Sequence, residues 1–299
     1  MYKIKPIPSY VKLIFTTKIN LSLLLLTIIF LYFMYKISFE NNDILLSDPT
    51  VLEEKGRYYL YGTRSGGSDK TNDGFLVYES TDLYNWKAKG YALKKGDAFG
   101  NKGFWSPQVF KKEESYVMVY AADEKIALAF SKSPLGPFKN SSKTHYATDF
   151  KEIDPFIFFD NGKFYLYRVR RVDNGNQIYV SELNENLSIN KNNRPNRCLT
   201  KDQPWEDSDD IELGGNQGPS VFKIEGAYYM LYSANNFRSP KYAVGHARST
   251  TPMGPWIKSE NNPIIDFSKI NQNGPGHGDI FYDHQEKCHK YVLHTHFLK

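Results

Sequence analysis

Cysteine is scarce in this sequence, with two residues among 299. Cys198 and Cys288 lie in unrelated parts of the chain, and two residues offer no spacing from which a disulfide framework could be inferred. Export from the cell would permit a disulfide. We nevertheless expect both thiols to be unpaired.

An excess of basic charge is missing from most of the chain. The net charge is +5, but residues 1–40 hold five lysines against one glutamate. Subtracting that +4 leaves +1 on residues 41–299. A nucleic-acid-binding protein needs a clustered basic face, and none is visible, so we expect no nucleic-acid partner.

Long helical patterns and low-complexity linkers are also absent after residue 40. Short alternating segments are instead separated by Gly, Asn, Asp and Pro, which is typical of many β-strands. The aromatic fraction of 15% and the apolar fraction of 40% suit a β-structure with a sizeable core.

An apolar run covers residues 21–35 and follows a stretch that contains several lysines. It is short for a membrane-spanning helix and typical of an export signal whose positive end stays in the cytoplasm. No small-x-small cleavage site follows in residues 36–39, so a removed signal and an uncleaved membrane anchor both stay open. The flanking lysines and the lack of polar periodicity argue against a buried core helix. We expect residues 1–40 to be a signal peptide or membrane anchor, and the protein to be secreted, periplasmic or membrane-anchored.

A short phrase recurs along the rest of the chain: a proline, and nine residues beyond it a strand rich in tyrosine. Tyr58 follows Pro49, Tyr116 follows Pro107, Phe164 follows Pro155 and Tyr228 follows Pro219, each nine residues on. Degenerate copies of this kind indicate one supersecondary unit repeated around an axis or along a solenoid.

Each copy continues with a third strand, and three copies add an outer turn that ends in an aromatic residue. Four strands per repeat are typical of a propeller blade. A fifth unit covers residues 274–281 and 290–296, just before the chain stops. We therefore predict an all-β, five-bladed β-propeller over residues 41–299. Its last blade is short of outer strands unless the residues just after residue 40 join it.

The first strand of each blade lines the central channel of a propeller. The residues at each phrase should therefore converge on one face: Asp48, Trp105, Asp154, Gln217 and His277. An isolated Asp-Pro pair is usually a turn or strand-start device. Two such pairs at equivalent positions of a repeat favour a functional site.

Taken together, these phrases resemble glycoside hydrolase family 43, whose members are five-bladed propellers that cleave arabinose- and xylose-containing glycans. The resemblance runs from about Leu45 to His296. Five motifs occur in the family's order, at residues 47–50, 104–109, 153–156, 216–221 and 274–277.

The resemblance implies that Asp48 is the general base that activates a water and that Asp154 orients the general acid and tunes its pKa. The family's acid is the Glu of an Asn-Glu-Gly-Pro phrase, and Gln217 stands at that position here. Inverting hydrolysis needs a protonated carboxyl at the leaving oxygen. A neutral amide donates a hydrogen bond but cannot release a proton, and general acid catalysis is worth about 10²–10⁴-fold.

Three explanations of Gln217 stay open: lost or altered activity, an introduced substitution, or a different acid. Glu212 lies close enough in sequence to approach, whereas Glu225 should sit in a hairpin turn and point away. Our leading hypothesis is an inverting α-L-arabinofuranosidase or β-xylosidase. The alternative is a catalytically impaired carbohydrate-binding propeller, and a protein-interaction propeller is the weakest hypothesis.

Three further residues, His277, Trp105 and Asn216, are assigned roles in binding a metal ion or the substrate. The resemblance implies that His277 helps to hold a metal ion, often calcium, although a lone histidine is more often structural. We assign Trp105 as a stacking platform for a sugar ring, with core packing as the alternative, and Asn216 to substrate binding. We expect a monomer that requires no cofactor and acts on a plant-type polysaccharide or oligosaccharide. No residue discriminates a furanose from a pyranose.

Overall fold

The computed structural model describes residues 44–64, 73–173, 175–190, 192–207 and 214–296. The chain divides into two compact units, Met1–Ile44 and Leu45–Lys299, and the strands that the structure describes belong to the second. The predicted signal or anchor, residues 1–40, lies outside the described residues. Of the helices that the structure describes, none is long and apolar enough to cross a membrane.

The described strands form five antiparallel sheets. The first sheet contains β1 (Leu46–Glu54), β2 (Arg57–Arg64), β3 (Gly74–Ser80) and β4 (Lys87–Lys94). The second contains β5 (Trp105–Lys112), β6 (Ser115–Ala122) and β7 (Lys125–Ser131). The third contains β8 (Lys151–Asp160), β9 (Lys163–Val172), β10 (Gly175–Leu183) and β11 (Asn196–Leu199). The fourth contains β12 (Gln217–Ile224), β13 (Ala227–Ala234), β14 (Ala243–Ser249) and β15 (Ile257–Lys258). The fifth contains β16 (Gly276–Asp283) and β17 (Cys288–His294).

The first strands of the sheets surround one axis. Strands β1, β5, β8, β12 and β16 contact one another in that order, and β16 contacts β1. The other regular elements are a 3-10 turn at Pro204–Asp207 and a one-turn helix α1 at Phe267–Ile270. The fold is an all-β propeller, as the repeat predicts.

The nine-residue spacing corresponds to one hairpin, in which the proline strand pairs with the tyrosine-rich strand. The last tyrosine of each of these four strands is completely buried: Tyr61, Tyr120, Tyr167 and Tyr232. Two of these hydroxyls donate to outer turns of the next sheet, Tyr61 to the Pro134 carbonyl and Tyr167 to the Pro252 carbonyl. All four tyrosines therefore contribute apolar area, and Tyr61 and Tyr167 add one inter-sheet hydrogen bond each.

The prediction of four strands per repeat is wrong for the second sheet, which has three. The segment after β7 pairs only through isolated bridges, Phe130 with Lys139 and Ala127 with His145. Asn140 explains the interruption, because its side chain donates to the Leu128 carbonyl, 3.0 Å away, and the backbone turns there. Cys198 and Cys288 are both free.

Candidate active site

The first strand of every sheet is kinked at the same place. Each strand contains a register shift there, and the residue at the kink has a left-handed backbone. The φ angles are 51° at Asp48, 48° at Ser106, 52° at Asp154, 59° at Gly218 and 37° at His277. A left-handed conformation costs roughly 1–3 kcal/mol at a residue other than glycine and persists only where the surroundings hold it.

Side chains of the neighbouring sheet hold three of these kinks. The N–H of Ser106 donates to Thr63 Oγ1 at 2.9 Å, that of His277 to Ser233 Oγ at 2.7 Å, and that of Asp48 to His294 Nδ1 at 3.2 Å. Thr63, Ser233 and His294 occupy the same register position on their second strands. The kinks are therefore tied to one another around the axis.

The Asp48 carboxylate lies between two further groups. Its Oδ2 accepts a hydrogen bond from Thr63 Oγ1 at 2.6 Å, and its Oδ1 lies 3.1 Å from Nδ1 of His277. Its side chain keeps 16% of its surface exposed. A carboxylate has about four lone-pair sites, so Asp48 retains capacity to accept from a water.

Asp154 is the more deeply buried carboxyl group. Its Oδ1 accepts from Ser106 Oγ at 2.9 Å, and its Oδ2 accepts from the N–H of Gly218 at 3.2 Å. Its Oδ2 also lies 3.9 Å from Nδ1 of His277. Burial raises the pKa of Asp154; His277 opposes this shift, and the negative charge of Asp48 adds to it.

A third carboxyl group, Asp279, lies two residues beyond the kink at His277. Its oxygens accept from Thr50 Oγ1 at 2.6 Å and from Ser220 Oγ at 2.7 Å. Burial raises the pKa of Asp279 to about 6 despite these hydrogen bonds. Asp279 therefore joins the fifth sheet to the first and the fourth.

Four of the five kinked residues line a small cavity of about 20 Å³ at the axis, which is room for one water molecule. Asp48, Ser106, Asp154, His277 and Asp279 are among its lining residues, whereas Trp105 and Gln217 are not. Three of the predicted residues, Asp48, Asp154 and His277, therefore lie at this cavity. Trp105 and Gln217 each precede a kinked residue by one position.

Gln217 and Asn216 are both buried beside the third sheet. The Oε1 atom of Gln217 accepts from Asn176 Nδ2 at 3.4 Å, while its Nε2 has no partner among the described residues. Asn216 donates to Glu206 Oε1 at 2.8 Å. Trp105 is half-buried, and its indole lies over Gly103, where an added Cβ would come within 3.0 Å of the ring.

Carboxyl groups near Gln217 offer no free acid among the described residues. Glu206 is completely buried and accepts from Asn216, Tyr232, Lys258 and the backbone N–H groups of Asp202 and Gln203. Glu225 lies in the exposed turn between β12 and β13, as predicted. Glu212 lies outside the described residues.

The residues around His277 do not fit a metal site made by protein side chains alone. Nδ1 of His277 already faces Asp48. Within the described ranges, no group of three His, Cys, Asp or Glu side chains is arranged to hold a metal ion. Calcium at His277 stays a prediction, and no chemical step below depends on it.

The sequence analysis missed Thr63, Ser106, His294 and Asp279. Ser106 could have been found, because it precedes Pro107 as Asp48 precedes Pro49. Thr63 and Ser233 lie fourteen residues beyond their prolines, since 63−49 and 233−219 are equal. His294 departs from that spacing because its hairpin is longer.

Comparisons with known proteins found similar sequences and similar structures. A family model described as glycosyl hydrolases family 43 matches residues 43–297. The chain is 37% identical to an endo-1,4-beta-xylanase structure from Bacteroides thetaiotaomicron, with a TM-score of 0.76 over 85% of this chain and 86% of that one. It is also 37% identical to a thermostable family-43 glycoside hydrolase, with a TM-score of 0.76 over 86% of each chain.

More distant curated relatives act on furanose-containing glycans according to their names. The chain is 24% identical to the extracellular endo-alpha-(1->5)-L-arabinanase 2 of Bacillus subtilis, over 85% of this chain and 65% of that protein. It is 24% identical to a non-reducing end alpha-L-arabinofuranosidase of Bacteroides ovatus, over 77% of this chain and 41% of that protein. The chain thus spans less than two thirds of the length of both relatives.

Proposed function

The chain belongs to the glycosyl hydrolases of family 43, and from that premise we propose that it is a glycosidase of arabinose- and xylose-containing polysaccharides. The observation that carries this proposal is the pair of carboxyl groups, Asp48 and Asp154, which both lie within 4 Å of Nδ1 of His277 at the axis. The names of its relatives, a xylanase and an arabinanase among them, support the substrate class.

Asp48 is the general base in this proposal. Its carboxylate accepts from Thr63 and faces His277, which orients it while leaving part of it exposed. It would take a proton from a water that attacks the anomeric carbon, and the reaction would invert the configuration there. Asp154 orients the kinked backbone of the acid's strand through the N–H of Gly218.

The proposal assigns no residue that gives a proton to the leaving oxygen, because Gln217 stands at the position of the general acid. Its Nε2 is a buried donor with no partner among the described residues. This group can donate a hydrogen bond to the leaving oxygen but cannot transfer a proton at neutral pH. The proposal therefore predicts slow hydrolysis that is limited to good leaving groups.

Gln217 also supports a second candidate function, a carbohydrate-binding propeller without turnover. An unpartnered buried amide costs free energy in the unbound protein, and a sugar hydroxyl would satisfy it. In that case Asp48 and Asp154 would contribute hydrogen bonds to the sugar.

Aryl arabinofuranoside and aryl xyloside distinguish the two candidates, because an aryl leaving group needs little acid help. We expect slow release by the protein, faster release by Gln217→Glu, and none above background by Asp48→Asn. Binding without release by the protein or by Gln217→Glu would favour the binding propeller. Activity that survives Asp48→Asn would contradict the assignment of the base.

Further proposals concern the rest of the molecule. We count five blades by taking the two-stranded sheet of β16 and β17 as the last blade. Trp105 is proposed as a sugar-stacking surface, Asn216 as a residue that supports substrate binding, and His277 as the residue that would face calcium. Export, followed by release or anchoring, agrees with the extracellular relative in Bacillus subtilis.

A further inference from the structure

We propose that a groove between the second and third sheets is a separate binding site for a neutral polysaccharide chain. The groove has a volume of about 810 Å³, which is in the range of ligand-binding pockets. None of its lining residues belongs to the axial cavity around Asp48 and His277. The class of ligand rests on the proposed function, whereas the existence of the site rests on the groove itself.

The walls of the groove are two segments that contact each other directly. One wall is formed by Asn140, Ser142 and residues 144–147, which follow β7, and the other is the turn that begins at Asn184 after β10. The Tyr146 hydroxyl donates across the groove to the Leu187 carbonyl at 2.5 Å. Tyr146 and Leu187 also pack in one apolar cluster with Leu128 and Ile189. The groove is therefore built before any ligand arrives.

The chemistry of the lining suits a sugar better than a charged ligand. Its described residues include no Asp, Glu, Lys or Arg, although these types make up 24% of the chain. They include five asparagines, two serines and a threonine. Amide and hydroxyl groups both donate and accept, as sugar hydroxyls require. His145 is the one ionisable side chain besides tyrosine among the described lining residues, so a neutral ligand would bury no carboxylate, lysine or arginine there.

Two exposed groups provide contacts that the fold itself does not use. The Oδ1 atom of Asn186 accepts from Ser188, while its Nδ2 has no partner within the described part of the chain. Phe130 lines the groove with 42% of its surface exposed, so its ring can cover the apolar face of a sugar. Together they provide one donor on the turn after β10 and one apolar surface on β7.

Hydrogen exchange on the full-length protein tests the site, in an Asp48→Asn background that prevents turnover. Xylohexaose and arabinohexaose are the probes, and a hexamer of galacturonic acid is the acidic comparison. We expect one neutral hexasaccharide to slow exchange in residues 139–147 and 184–190, and the acidic hexamer to have no effect. The double variant Phe130→Ala, Asn186→Ala should need at least ten times more ligand for the same protection.

The matched control changes Phe267→Ala and Asn261→Ala, which are exposed residues outside the groove. This control should keep full protection, and both double variants should keep the aryl glycoside turnover of the otherwise unchanged protein. Absence of protection with both neutral hexasaccharides, or equal protection in the groove variant, would overturn the proposal. If the unchanged protein shows no aryl glycoside turnover while groove protection is intact, only the proposed hydrolase function is overturned.

Discussion

Protonation of His294 should destabilise the folded protein in mild acid. Its Nδ1 accepts the N–H of Asp48 at 3.2 Å, so the neutral ring holds the left-handed kink at Asp48. The ring stacks between Tyr242, with centroids 5.9 Å apart, and His296, with centroids 6.2 Å apart. Burial lowers the pKa of His294 from 6.5 to about 4.

The sign of the effect follows from the direction of that shift. Because the pKa of His294 is lower in the folded state, the unfolded chain binds more protons between pH 6.5 and 4. The contribution of the neutral ring is therefore complete above pH 6.5 and is lost as the pH falls. At 1.36 kcal/mol per pKa unit, the loss is about 2 kcal/mol at pH 5 and about 3 kcal/mol at pH 4.

Urea unfolding at pH 7.5 and pH 5 measures this loss against His294→Asn. The Oδ1 atom of Asn can replace Nδ1 as the acceptor, but Asn does not titrate. We expect the stability of the unchanged protein, relative to the variant, to fall by about 2 kcal/mol between the two pH values. His289→Asn, an exposed position on the same strand, is the control and should leave the pH dependence unchanged. Parallel pH profiles for the protein and His294→Asn would refute the reasoning.

Three further predictions concern groups around the axis and the fourth sheet. Asp279 should give a pH dependence opposite to that of His294, because burial raises the pKa of Asp279 to about 6. Relative to Asp279→Asn, the unchanged protein should therefore lose about 3 kcal/mol of stability as the pH rises from 3.8 to 7, measured by urea unfolding. Thr63→Val removes a hydroxyl that bonds Asp48, and should lower the free energy of unfolding by about 1–3 kcal/mol and slow aryl glycoside release. Glu206→Gln leaves the buried Lys258 ammonium short of a counter-charge; we expect a loss of roughly 3 kcal/mol, partly recovered by adding Lys258→Met.

Local patterns were sufficient to predict the strands. The spacing from proline to tyrosine describes one hairpin, and a hairpin is built from residues close in sequence. The third strands were found for the same reason, since alternation within β3, β7, β10 and β14 reports a half-buried strand directly. The outer strand missing from the second sheet was not predictable from this alternation, because the Asn140 side chain interrupts the pairing.

The residues at the axis were only partly predictable. Asp48, Asp154 and His277 were placed there from the repeat and the family resemblance, and they do line the cavity. Trp105 and Gln217 each stand at the start of a register shift, where strict alternation no longer predicts which face a side chain occupies.

The sequence by itself determined that this chain repeats a hairpin of a proline strand and an aromatic-rich strand, which family it resembles, and that an amide stands where that family has its acid. Only the tertiary structure decided how Asp48 is held, since His294 lies 246 residues away along the chain. The tertiary structure also decided that Glu206 is enclosed by its own hydrogen bonds and cannot replace Gln217. Strands follow from short-range patterns, whereas contacts around the axis depend on how the sheets close on one another.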